Sequence, residues 1–253
     1  MNSTEELQSK INNAKSLDFG TIITETIEMF KQVWTKGLLV VLLIAISAVC
    51  ISVLFTVIGL VPKTDASIFT DGITWETFTS FYSLNAIYSI PQTIIVSALT
   101  LAFVGAFYRI CYQMVTEKNE EDDYFYFFKN GYFTKVLMLA IIYTAIATVA
   151  QLLFFIPYIY AFVPLSYFAV VLADNPQLSE MDIVKVSFAL GNKKWLISFG
   201  TMFIAGILGM LGIIACFIGV FVTISIVYLP AFLIYKEVVG FDNVSEIDQI
   251  GME

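Results

Sequence analysis

Histidine is absent from all 253 residues. The commonest general base and the commonest metal ligand are therefore missing together. That excludes catalytic zinc, facial-triad iron, haem held by histidine and a Ser-His-Asp triad. Charge is scarce as well: 13% of residues are Asp, Glu, Lys or Arg, against about 25% in soluble domains. The three cysteines, Cys50, Cys111 and Cys216, stand singly in apolar segments at no metal-like spacing, and read as buried small hydrophobes. Basic residues are outnumbered, 13 to 21, for a net charge of −8, so the footprint of a nucleic-acid binder is missing. No cofactor is implied.

What the chain has is apolar surface: 58% hydrophobic residues, 15% aromatic, and a mean hydropathy of +0.84. The apolar residues come in blocks too long for a water-facing fold, which predicts an all-α integral membrane protein. Residues 1–36 form a polar segment that ends in an amphipathic helix, with Asp18 as N-cap and Phe19, Ile22, Ile23, Ile27, Phe30, Val33 and Trp34 at helical spacing. Gly37 to Val61 is an uninterrupted apolar run of 25 residues, long enough to cross a hydrocarbon core of about 30 Å, and Pro62 stops it. A polar stretch over 63–88 leads to a second span at 89–115, with Pro91 in its first turn. Arg109 is the one charge inside a span, near an end from which it can snorkel.

An acidic run from Glu117 to Asp123 reads as a solvated loop, and Tyr124 to Phe128 after it as an interfacial aromatic belt. Val136 to Ala173 holds 38 residues without a charge. That is too long for one helix, so it predicts spans at 136–155 and 158–173 with a turn near Pro157. Ser179 and Asp182 resemble a capping box that opens a second amphipathic helix. Trp195 to Tyr235 is a further charge-free block of 41 residues, read as spans 196–213 and 217–235. An acidic tail, 236–253, follows the six-span domain of 37–235.

The expected architecture is six transmembrane helices in three hairpins, each preceded by a cytoplasmic interfacial segment, amphipathic or aromatic. Trp34-Thr35-Lys36 is matched by Phe133-Thr134-Lys135. Ile22, Ile27 and Trp34 are matched by Ile183, Phe188 and Trp195 at an offset of 161. These likenesses fit an internal repeat, and equally what any interface helix shows. Lysines precede spans one, three and five in groups of four, three and three; with Lys236 and Arg109 the count is twelve against Lys63 alone. That bias predicts cytoplasmic termini.

Candidate chemistry is thin. No span carries Asp, Glu or Lys, which disfavours ion coupling. Gln92, Thr144, Gln151, Ser166 and Ser225 are the polar groups within the spans, read as interhelical hydrogen-bonding residues. Pro164 and Pro230 interrupt spans four and six and free the carbonyls of Tyr160 and Ile226. Gly206, Gly209, Gly212 and Gly219 read as close helix packing or a turn. Candidate contacts to lipid or to a partner are Trp34, Arg109, Lys193, Lys194, Trp195 and Pro230.

The succession Phe154-Phe155-Ile156-Pro157, Val171-Leu172-Ala173-Asp174-Asn175-Pro176, Lys193-Lys194-Trp195 and Leu229-Pro230, with Leu17-Asp18-Phe19-Gly20 at the other end, resembles a group of uncharacterised bacterial multi-pass proteins. That group is similar to the membrane domain attached to some glycerophosphodiester phosphodiesterases and, more distantly, to the Yip family. The likeness covers about residues 15–240. It implies a bacterial cytoplasmic membrane but no phosphodiesterase activity, which belongs to a separate histidine-containing domain. The expected function is non-catalytic: a scaffold, assembly factor or accessory subunit that binds another membrane protein or organises lipid. The alternative is a carrier or flippase for a lipid or small apolar molecule, which requires a cavity between the hairpins.

Overall fold

The computed structural model describes residues 3–60, 75–117, 121–129, 131–153, 156–214 and 218–241, the side chains of 75–88, 214 and 218 excepted. Lys63 with the first part of its polar stretch, to 74, Phe154, Phe155, Cys216 and the tail beyond 241 lie outside them. Among the described residues every regular element is helical. In chain order these are α1 (Thr4–Asn12), α2 (Phe19–Val57), α3 (Trp75–Val115), α4 (Tyr132–Leu152), α5 (Ile156–Ser166), α6 (Phe168–Asp174), α7 (Glu180–Lys193), α8 (Trp195–Met210), α9 (Ile218–Thr223) and α10 (Leu229–Val239). Six stretches are long and apolar enough to cross a membrane: Phe19–Val57, Ser89–Val115, Tyr132–Leu152, Ile156–Asp174, Trp195–Ile213 and Gly219–Val239. The protein is a multi-pass helical membrane protein.

Two caps lie where the sequence puts them. Asp18 Oδ1 accepts from the Thr21 N–H at 2.8 Å and opens α2. Ser179 Oγ accepts from the Asp182 N–H at 3.2 Å and donates to Asp182 Oδ2 at 2.6 Å, which opens α7. The Ser179 hydroxyl, and after it the Lys185 ammonium, hold the Asp182 carboxyl below its ordinary 3.8. The stabilisation from this cap is therefore present above that value and is lost as pH falls through the lowered folded-state value. In Ser179→Ala, carbon NMR of the Asp182 carboxyl should show titration moving back up; an unmoved titration would contradict the cap.

Three boundaries differ from expectation. The amphipathic helix and the first span are one element, because nothing between Phe19 and Val57 breaks it. At about 1.5 Å per residue its 39 residues run to about 58 Å. It ends before Pro62. Gly59 takes φ +76, Leu60 N–H bonds the Phe55 carbonyl and Gly59 N–H the Thr56 carbonyl, which is a Schellman stop. Pro91 lies inside α3 rather than in its first turn, since helix already begins at Trp75. An unanticipated short helix, α1, is capped by Ser3 and docked through Leu7 and Ile11, both buried.

Burial is unequal among the spans. In their most apolar stretches the second and fourth are each 61% buried, and the first only 17%. Span one is the outer helix; spans two and four lie nearest the middle. The aromatic stretch after span two also turns inward. Phe127 is fully buried, and a Cβ on Gly105 would come within 2.9 Å of its ring. Phe103 meets Phe125 and Phe128 at ring distances of 5.8 and 5.1 Å. The belt is a plug against α3, with only Phe125 left largely exposed.

Candidate functional site

Two of the proline-bearing spans are broken, and the breaks face one another. Span four is interrupted at Tyr167, between α5 and α6. Span six runs as a 3-10 segment over Ile224–Tyr228 before α10 resumes. Between them is a cavity of about 290 Å³, walled by α3 (Val96 to Tyr108), Tyr143 of α4, Phe162 to Ala169, Met202 of α8, and Val227, Tyr228 and Ala231. Its lining contains no charged residue. The Tyr108 hydroxyl crosses to the Tyr228 carbonyl at 2.8 Å, where the helix is least regular.

The carbonyl that Pro164 frees does not stay free. Trp195 Nε1–H donates to the Tyr160 carbonyl at 3.0 Å, while the Trp195 ring stacks on Phe199 at 5.0 Å. The Tyr160 hydroxyl donates to Asn192 Oδ1 at 2.6 Å. A Cβ on Gly191 would lie 2.6 Å from Pro164 Cα. Gly191, Asn192 and Trp195 thus form one lock around the Pro164 interruption. The Ile226 carbonyl is taken up differently, by the Leu229 N–H in the 3-10 pattern.

The candidate contact residues separate accordingly. Trp34 is 41% exposed and Lys193 is exposed, free to meet lipid or a partner. Arg109 is half-buried, its guanidinium 3.7 Å over the Tyr126 ring rather than extended to headgroups. Pro230 is buried in α10 and meets no lipid. Lys194 is only 7% exposed, and its ammonium donates to the backbone carbonyls of Ala14 and Lys15. Two of the three Lys194 donors are thus taken up by main chain inside the fold rather than held out to headgroups.

Lys194 has two counterparts. Lys36 pairs with Asp122 at 2.9 Å. Lys135 donates to the Pro176 and Leu178 carbonyls at 2.6 and 2.8 Å. The lysine heading span one therefore grips the segment before span three, that heading span three grips the segment before span five, and that heading span five grips the segment before span one. These three grips close a ring at one end of the bundle. Removing the last of them with Lys194→Met frees the linker around Lys15. Tryptic cleavage there should rise on the order of tenfold, corresponding to about 1.4 kcal/mol easier local opening; an unchanged cleavage rate would contradict the grip.

Among the described residues the interhelical hydrogen bonds come mainly from tyrosines, although Thr223 Oγ1 also bonds the Gly209 carbonyl. Tyr108, Tyr160 and Tyr167 (to Ser198, 2.6 Å) all reach across. Ser166 turns back to the Val163 carbonyl at 2.7 Å and otherwise meets only Met202 Sδ at 3.6 Å. Among the described residues Thr144 Oγ1 is buried without a partner. Short hydroxyls are within reach of their own helix, whereas a tyrosine oxygen is not. The cavity tyrosines thus escape a sequence reading that weighs Gln, Ser and Thr.

The fold and the cavity define the class: a multi-pass helical membrane protein with a charge-free interhelical cavity. No family model, curated protein or solved structure matches the chain.

Proposed function

We propose that this protein is non-catalytic and holds an apolar guest, drawn from the bilayer, between its spans. It would serve as a carrier or lipid-binding protein. The observation that supports this is the charge-free cavity of about 290 Å³ at the facing interruptions of spans four and six. Such a space suits a guest that the membrane already dissolves and holds no charged group to balance an ion. The twelve-to-one lysine and arginine bias supports cytoplasmic termini.

A second reading, a scaffold or accessory subunit for another membrane protein, draws on span one. It packs at the edge of the bundle and leaves one face open, with Leu39, Ile46, Val49 and Val53 exposed beyond Trp34. Native mass spectrometry of protein extracted gently at natural abundance separates the two. The carrier reading expects a retained lipid mass without a protein companion. A stoichiometric protein companion and no retained lipid would replace it with the scaffold.

A further inference from the structure

The cavity is apolar but not featureless, and its hydroxyl groups are not all spent. Thr100 donates to the Val96 carbonyl at 2.8 Å and Ser166 to that of Val163 at 2.7 Å, each folding back onto its own helix. Tyr108 is committed to the Tyr228 carbonyl. Ser97, Tyr143 and Tyr228 remain; the short Ser97 hydroxyl is within reach of its own helix, the two tyrosine oxygens are not. Both tyrosines line the cavity, and among the described residues neither hydroxyl makes a hydrogen bond. Held at the end of a rigid ring, a tyrosine oxygen cannot turn back to its own i−4 carbonyl as serine and threonine do. In a membrane interior no bulk water stands in for the missing partner. Two tyrosines thus line one apolar space with hydroxyls that their own helices cannot satisfy.

From this we infer that the guest is a single-chain neutral lipid with one terminal oxygen function, an alcohol or an ester, whose oxygen is held by Tyr143 and Tyr228. The inference rests on the guest-binding reading above and narrows it. A space of about 290 Å³ suits one chain of a lipid better than two. Charge excludes a phosphate or carboxylate, which would enter without a counter-ion. The nearest cation in sequence, Arg109, lies against Tyr126 and not in the lining.

The test uses the full chain in nanodiscs and three twelve-carbon probes with a mid-chain diazirine, ending in a hydroxyl, a methyl or a phosphate. Cross-links are mapped by peptide mass spectrometry. The alcohol should label the cavity walls at a half-saturating concentration roughly 3- to 20-fold below that of the alkane, the span of a membrane hydrogen bond. Tyr143→Phe and Tyr228→Phe, singly and together, should erase that advantage and leave alkane labelling unchanged. If the double variant does not fold, the two single variants decide. Ala169→Phe, which fills the space, should stop both probes. Equal labelling by alcohol and alkane, or strongest labelling by the phosphate, overturns the oxygen-binding inference and leaves the guest-binding reading standing. Cavity peptides labelled by no probe would overturn both.

Discussion

Gly191→Ala should destabilise the protein by about 3 kcal/mol, lowering its melting temperature in detergent by roughly 10 °C. The added methyl would fall 2.6 Å from Pro164 Cα and 2.8 Å from Pro164 N. Those are backbone atoms of a residue whose φ is fixed by its ring, so no flexible side-chain end can move aside. The crossing of α7 over α5 must open instead, and it carries the bonds of Asn192 and Trp195 with it. Gly206→Ala is the control: nothing lies within 4 Å of that site, and alanine is favoured there by about 0.5–1 kcal/mol of helix propensity. Equal melting of the two variants would mean that this close crossing does not hold α7 in place.

Asn175→Ala should cost about 2–3 kcal/mol by thermal unfolding, because it breaks a buried polar triangle. Asn175, 2% exposed, donates through Nδ2 to Asp174 Oδ2 at 3.0 Å and to the Tyr235 hydroxyl at 2.8 Å. Tyr235, fully buried, donates to the same carboxylate oxygen at 2.7 Å. The triangle ties the end of α6 to α10, the two elements that continue spans four and six beyond the cavity. Tyr235→Phe should lose a similar amount. Since both variants remove parts of one network, their losses should fall short of additive by 0.5 kcal/mol or more in a double-mutant cycle. Simple additivity would show two independent contacts.

The six spans were legible because hydropathy is a property of whole blocks, and block length converts directly into membrane thickness. Asp18 and Ser179 were legible because an N-cap needs a short side-chain acceptor at one position. The ring of lysine grips was not. Its targets at Ala14, Lys15, Pro176 and Leu178 are backbone carbonyls, which every residue has, so the lysines are visible in sequence and their destinations are not. The motif Lys193-Lys194-Trp195 reads as a surface patch for the same reason, although two of its three side chains bond to main chain elsewhere. Helix α1 was missed for its polarity, yet Ser3, Glu6 and the Leu7–Ile11 pair were the available signal. The cavity depends on two helix interruptions meeting in space. The prolines mark where each helix gives way, but not that the two sites face each other.

The ring of grips has a consequence for how the chain is made. As residues leave the ribosome in order, Lys36 waits about 86 positions for Asp122, and Lys135 about 41 for Pro176. Lys194 reaches back across about 180 positions to Ala14. The first two junctions can form as synthesis proceeds. The last joins the earliest-made linker to the fifth span, so the N-terminal segment stays unanchored by it until most of the protein has been inserted. A nascent chain arrested after span four would leave that segment without the Lys194 grip that finished copies have.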